Sequence, residues 1–139
     1  MTNYLKPELN NKLREISTLT LAHIGDAVFE LMVRTYLCQT GTHAVDKLHK
    51  RSLEYVSAKA QASSAELVLP LLCDEEKEIY KRGRNANPGH TPKSSTHEQY
   101  HAATGLEALF GYLYLSGSIE RLNELFELVI GKDLKPDAT

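Results

Sequence analysis

The sequence predicts an all-α domain, and three observations carry that expectation. Apolar residues recur at three- and four-residue spacings along nearly the whole chain, the period of helices with one face turned inward. Alternating runs of β-branched and aromatic residues, the mark of strands, are absent. The punctuation is helical as well, with Ser, Thr or Asp ahead of the periodic runs and Gly41, Gly117 and Gly131 behind three of them.

The 139 residues, 42% hydrophobic and 24% charged, fit a single domain over 1–139, with the first few residues and 132–139 frayed. A chain this long buries roughly two-thirds of the surface its unfolded form exposes, so a core closes without disulfides or structural metal. Disordered, collagen-like, coiled-coil and disulfide-scaffold readings are excluded. Cys38 and Cys73 stand beside leucines at no metal-binding spacing, and are expected to be small buried hydrophobes in a reducing compartment. There is neither an apolar leader nor a run of 18 apolar residues, so a cytoplasmic protein without a membrane span is expected. The net charge of -2 means that any affinity for nucleic acid must come from local basic patches.

In chain order, a short helical start over about Pro7 to Ile16 precedes a long helix, capped by Ser17 or Thr18, that runs to about Gln39 and stops at Gly41. Its apolar residues cover almost the whole circumference, which predicts a helix inside the fold. From Ala44 to Leu72 the pattern gives two helical segments, with Ser57 able to cap the second and Pro70 near its end. Asp74 is positioned to cap a helix from Glu75 to about Arg84, acidic first and basic last as the helix dipole favours. Asn85 to Thr96, with Asn-Pro-Gly, Thr-Pro and Ser-Ser, reads as a polar loop. A second nearly all-apolar helix covers about Glu98 to Leu115, and Ser118 is placed to cap a last helix over Ile119 to Ile130.

Each long apolar helix leaves one polar stripe. His23, Asp26, Glu30 and Arg34 share a face of the first; His97, His101, Thr104, Glu107 and Gly111 share a side of the second. Read blandly, the first stripe is a solvated edge with a Glu30–Arg34 surface pair. Gly25, Gly105 and Gly111 point to something sharper, because a glycine inside a helix costs about 1 kcal/mol relative to Ala and is kept where another backbone comes close. Packing the glycine-marked surfaces together would bring Asp26 and Glu107 near enough to share a hard cation such as Mg²⁺, held by one or two carboxylates, water and a substrate phosphate.

A competing motif is His97-Glu98-Gln99-Tyr100-His101, which formally matches HExxH of zinc proteases, with Glu120 or Glu124 as a third ligand. It follows a Pro/Ser loop rather than lying within an apolar helix, and its bland reading is a helix start with two exposed histidines. Basic residues gather in two groups: Lys47, Lys50, Arg51 and Lys59, and Lys81, Arg82, Arg84 and Lys93. Either group alone reads as a solvated face. Beside a carboxylate metal site, they point to a phosphodiester substrate.

Leu21-Ala22-His23-Ile24-Gly25-Asp26-Ala27-Val28 resembles the signature of the ribonuclease III catalytic domain, and Thr104-Gly105-Leu106-Glu107-Ala108-Leu109-Phe110-Gly111 is similar to its second signature. The segments Leu48–Arg51, Val56–Gln61 and Lys81–Ala86 resemble the Mini branch of that family. The resemblance implies a helical endonuclease fold, a homodimer with a groove for double-stranded RNA, and Mg²⁺-dependent hydrolysis leaving 5′-phosphate and 3′-hydroxyl ends. It further implies trimming of the large-subunit ribosomal RNA precursor, with a ribosomal protein as a possible partner. Asp26 and Glu107 carry over as metal ligands and catalytic residues. The family has a further Glu where this chain has Ala22 and an Asp where it has Thr104, so the carboxylate cluster is thinned. With no double-stranded-RNA-binding domain expected after the last helix, RNA contact falls to the catalytic dimer or a partner. The dimer is expected to form partly through the glycine-marked surfaces of the two long helices. A catalytically silent RNA-binding or ribosome-assembly module of the same fold is the alternative.

Overall fold

The computed structural model describes residues 1–86 and 95–131. Among them the chain forms six α-helices: α1 (Thr18–Gln39), α2 (Val45–Val56), α3 (Ala58–Val68), α4 (Asp74–Asn85), α5 (His97–Leu115) and α6 (Ile119–Ile130). The expected helical start is a 3-10 segment, Asn10–Glu15, and a second short 3-10 turn, Leu69–Leu71, holds Pro70. No strand occurs among the described residues, and the all-α expectation holds.

α5 is the axis of the fold, packed against α1, α3, α4 and α6, and it is buried almost throughout from Ala103 to Leu115. Phe110 on α5 meets Phe29 of α1 edge to face at 5.3 Å between ring centroids, and Phe29 in turn meets Phe126 of α6 at 6.0 Å. Rings at these separations add packing beyond their buried area. A smaller cluster of Leu21, Ala22, Ala108 and Leu115 is covered by Leu9, Leu13 and Ile16 of the N-terminal segment. The Leu9 amide fixes that segment by donating to the Leu115 carbonyl at 2.9 Å.

The caps follow the sequence at two of four places. Ser17 Oγ accepts from the Thr20 amide at 3.1 Å, and Ser57 Oγ accepts from the Ala60 amide at 3.2 Å. At α4 the cap is Cys73 rather than Asp74: its amide donates to Glu76 Oε1 at 2.9 Å, and Asp74 is already helical. Ser118 makes no side-chain cap bond, because its Oγ pairs with Ser116 Oγ at 2.9 Å.

Both cysteines are exposed, against expectation. Cys38 falls on the outer side of the last turn of α1 while its neighbour Leu37 is fully buried, and Cys73 precedes α4 at the surface. Nor is α1 wholly interior. Its buried stripe is Leu21, Gly25, Phe29, Val33 and Leu37, one residue per turn, and Leu31 on another face is 57% exposed. Most of the predicted loop, and with it Lys93, lies outside the described residues, as does 132–139.

Candidate carboxylate site

α1 and α5 cross where neither can carry a side chain. A Cβ on Gly25 would stand 1.6 Å from the Glu107 carbonyl oxygen, and one on Gly111 would stand 1.9 Å from the Leu21 carbonyl oxygen. No side-chain adjustment relieves a clash with backbone, so the two glycines set the closest distance between the helices. Each lies next to, or one turn from, an acidic residue of the polar stripes. The glycine-marked surfaces are therefore consumed inside one protomer, which corrects the expectation that they meet across a dimer. Gly105 serves α4 instead: a Cβ there would lie 2.8 Å from the ring and carbonyl of Tyr80.

At this crossing the Asp26 and Glu107 side chains come into contact. Burial, the Asp26 charge and a hydrogen-bonding contact with Asp26 push the Glu107 carboxyl up to about 8, with the more distant Glu30 adding to the same direction and Gln61 opposing it. Asp26 itself is exposed, so the pair is open to a ligand on the α1 side. Two like charges in one desolvated place hold a proton between them unless a cation takes that position. The donors are hard carboxylate oxygens, which suits Mg²⁺ and suits zinc poorly. Among the described residues no group of three or more His, Cys, Asp or Glu is arranged to hold a metal ion, so a cation here would complete its shell with water and substrate oxygens.

The family positions that lack a carboxylate are accounted for. Ala22 is buried against Ala108 and its neighbours, and Thr104 Oγ1 donates back to the Tyr100 carbonyl at 3.0 Å. Glu30 pairs with Arg34 at 3.5 Å on the surface, as its bland reading predicts. Gln61 of α3 was not among the candidate site residues, although it is 2% exposed and lies against Glu107. It shares one helical face with Ser64, Ala65 and Val68, all buried, but a face of Gln, Ser and Ala does not stand out as interior in the sequence.

The HExxH pair does converge, with His97 Nε2 and His101 Nε2 2.8 Å apart. Neither Glu120 nor Glu124 completes a three-residue metal cluster among the described residues, and Glu124 accepts from Arg121 at 3.0 Å.

The basic residues divide by position. Lys47, Lys50 and Arg51 line a cavity of about 340 Å³ with the loop Gly41–Ala44, where Arg51 Nη1 donates to Thr42 Oγ1 at 2.6 Å. That cavity lies beyond the C-terminal end of α1; thirteen residues separate Asp26 from Gln39, about 20 Å of helix. Lys59 is exposed in the first turn of α3, ahead of Gln61. Lys81, Arg82 and Arg84 are exposed at the end of α4, where Gly83 packs against Thr104, Gly105 and Ala108 around the level of Glu107. Arg82 also pairs with Glu78 at 3.3 Å.

Two carboxylates at a glycine-locked helix crossing, bordered by exposed cations, are an arrangement suited to a phosphodiester substrate. The ribonuclease III domain family matches residues 19–118, and the chain belongs to that family of RNA endonucleases. It is 48% identical over 115 residues to the Mini-ribonuclease 3 of Thermoanaerobacter sp. (strain X514), covering 83% of this chain and 81% of that protein. It is 46% identical over 109 residues to the Mini-ribonuclease 3 of Symbiobacterium thermophilum, covering 78% and 84% respectively. A crystal structure of a Fusobacterium nucleatum protein superposes with a TM-score of 0.81 at 35% identity, covering 89% of this chain and 95% of that one. The family signatures span both crossing helices.

Proposed function

We propose that this chain is a Mg²⁺-dependent endoribonuclease that cuts double-stranded or structured RNA to 5′-phosphate and 3′-hydroxyl ends, acting in the cytoplasm on the large-subunit ribosomal RNA precursor. One observation carries the reading: Asp26 and Glu107 are brought into contact by two helices that can meet only through glycine. Asp26 and Glu107 would be the ligands. Bound there, Mg²⁺ supplies a water of lowered pKa and offsets charge developing on the phosphate. The chain's own part is to present the exposed Asp26 to the substrate side, to keep Glu107 desolvated beside it, and to position the duplex by phosphate contacts from Lys81, Arg82, Arg84 and Lys59. Lys47, Lys50 and Arg51 would touch phosphates farther along the duplex, and Lys93 is proposed with the α4 group from its sequence position.

The same reading makes the protein a two-fold homodimer, now through a different surface. Ile24, Ala27, Val28, Leu31 and Met32 of α1 form, with Tyr114, Ile119 and Leu122, the wall of an open apolar groove of about 410 Å³. A second copy would cover it and give two sites for opposite strands. Light scattering should return twice the 15.6 kDa chain mass, and Leu31→Glu should return the single mass with the fold intact. A ribosomal protein as assisting partner is part of this proposal, to be looked for by comparing cleavage of naked precursor and assembled particles.

Ala22 and Thr104 favour a second reading, a silent RNA-binding module. The two separate cleanly: duplex RNA incubated with the protein should be cut in Mg²⁺ and spared in EDTA, whereas binding without cleavage in Mg²⁺ supports the module.

A further inference from the structure

The polar residue buried most deeply beside the carboxylates is held without a well-formed hydrogen bond. Gln61 is 2% exposed, and its Nε2 makes no well-formed hydrogen bond although it stands close enough to the Glu107 carboxyl to draw its pKa down; one turn later on the same face, Ser64 Oγ is equally buried at 1% and without a partner. Unmatched buried donors are rare in folded proteins, and each marks either a missing water or ion, or a group held ready for another state of the molecule. The rest of this face, Ala65 and Val68, is apolar, so a leucine or methionine would fit the pattern at 61 better than an amide. What lies next to the amide is the Glu107 carboxyl.

We propose that Gln61 is a positioning residue of the cation site, its Nε2 placed to donate to the Glu107 carboxylate. The inference rests on the metal-site reading above. It makes the site a product of three helices: the exposed Asp26 from α1, the desolvated Glu107 from α5 and a neutral donor from α3. Neutrality matters, because Asp26 and Glu30 both act on Glu107 as negative charges. A lysine in place of Gln61 would form an ion pair and compete with the cation; an amide orients the carboxylate without neutralising it.

The test uses Mg²⁺ alone, read by its effect on thermal unfolding of the full chain, so that no cleavage assay enters. Gln61→Leu and Gln61→Met should raise the half-saturating Mg²⁺ concentration about tenfold or more, the usual consequence of losing a residue that orients a ligand. Their unfolding temperature without metal should equal or exceed that of the wild type, because an unmatched donor has been removed. Gln61→Asn, which keeps an amide but withdraws it by one methylene, should fall between. Variants that hold the wild-type Mg²⁺ midpoint would overturn the proposal, as would loss of the folded state in both Leu and Met forms, which would make Gln61 a structural residue. A failure of the underlying reading looks different: the wild type would then respond to Mg²⁺ no more than Glu107→Gln does, and the role of Gln61 would fall with it.

Discussion

Two glutamates on neighbouring elements of this fold are withdrawn from water and meet opposite fates. Glu76, in the first turn of α4, receives Arg121 Nε at 2.8 Å and Nη2 at 2.9 Å, and its own helix start donates the Cys73 amide. Its carboxyl is held down at about 2, chiefly by the Arg121 hydrogen bonds, against the upward pull of burial. Arg121 spends its remaining capacity on the Leu71 carbonyl and Glu124, which ties α6 to α4 and to the turn before it. Among the described residues no cationic side chain acts on Glu107. Burial and Asp26 drive it up to about 8, and the neutral Gln61 opposes the shift without reversing it. Both side chains are glutamate and both are shielded; the sign of the partner decides which is held ionised as a clamp and which is pushed toward its protonated form.

The largest effect should come from neutralising the second region. Asp26→Asn and Glu107→Gln are each expected to lower cleavage of duplex RNA by about a thousandfold or more, the loss of roughly 4 kcal/mol of transition-state stabilisation. The comparison adds something that a loss of activity does not: Glu107→Gln should unfold at a higher temperature than the wild type in metal-free buffer, since an amide carries no charge to desolvate. An inactive variant that is also less stable would mean that Glu107 is held by compensation not apparent from its neighbours.

Next comes the clamp. Arg121→Met leaves Glu76 shielded and unpaired, and should cost about 3 kcal/mol of stability, seen as a lower urea midpoint at unchanged slope. The double variant Arg121→Met, Glu76→Gln should recover much of that loss, because the penalty belongs to the stranded charge rather than to the missing pair. Activity per folded molecule is expected to change little.

The pH dependence sharpens the contrast, because the two glutamates act at opposite ends of the scale. Glu76 has a folded value of about 2 below its ordinary 4.5, so its contribution is present above 4.5 and is lost as pH falls toward 2, up to roughly 3 kcal/mol in all. Glu107 has a folded value of about 8 above 4.5, so the protonated form supports the fold below 4.5 and that support is lost as pH rises through 8. Urea midpoints followed across pH without metal should therefore fall at both ends. Glu76→Gln should flatten the acid limb alone and Glu107→Gln the alkaline limb alone; one variant altering both limbs would tie together two regions that share no partner.

Much of this is legible in the sequence, and the reason is local. Gly25 beside Asp26, and Gly111 one turn from Glu107, are expensive residues in otherwise strong helices, and their expense announces the crossing. The family signatures lie on the same two helices. What escapes reading depends on interactions remote in sequence: Arg121 reaches Glu76 across 45 positions, and no spacing rule joins them. Gln61 escapes because a glutamine in a short helix full of Ala and Ser looks like surface until its face is known. The cysteines are misplaced for the converse reason, since a leucine neighbour in a helix points about 100° away and says nothing about burial. The exposed Leu31 face shows that an apolar circumference can mean a helix covered on one side by its own chain and left open on another.

The smallest effect concerns the cations, and it extends the comparison from carboxylates to their opposites. Arg121 is consumed within the fold, whereas Lys81 and Arg84 are exposed and make no salt bridge among the described residues. Cations left over at the level of Glu107 should serve phosphate. Replacing Lys81, Arg82, Arg84 and Lys93 by Ala is expected to weaken binding of different duplexes alike, by about tenfold near 0.1 M salt, and to flatten the dependence of affinity on salt by close to one unit for each phosphate no longer neutralised. Base identity should not matter, since the deep major groove of A-form RNA is closed to side chains. Cleavage at saturating RNA should stay near wild type, because none of the four is proposed as a metal ligand. The matched variant, with Lys47, Lys50 and Arg51 changed to Ala, tests the cavity about 20 Å along α1. If only long duplexes lose affinity in that variant while short ones do not, the two clusters grip one duplex at different distances from the cut. Equal salt slopes for wild type and the α4 variant would instead make the end of α4 a solvated face and move the phosphate contacts to the α2 cavity.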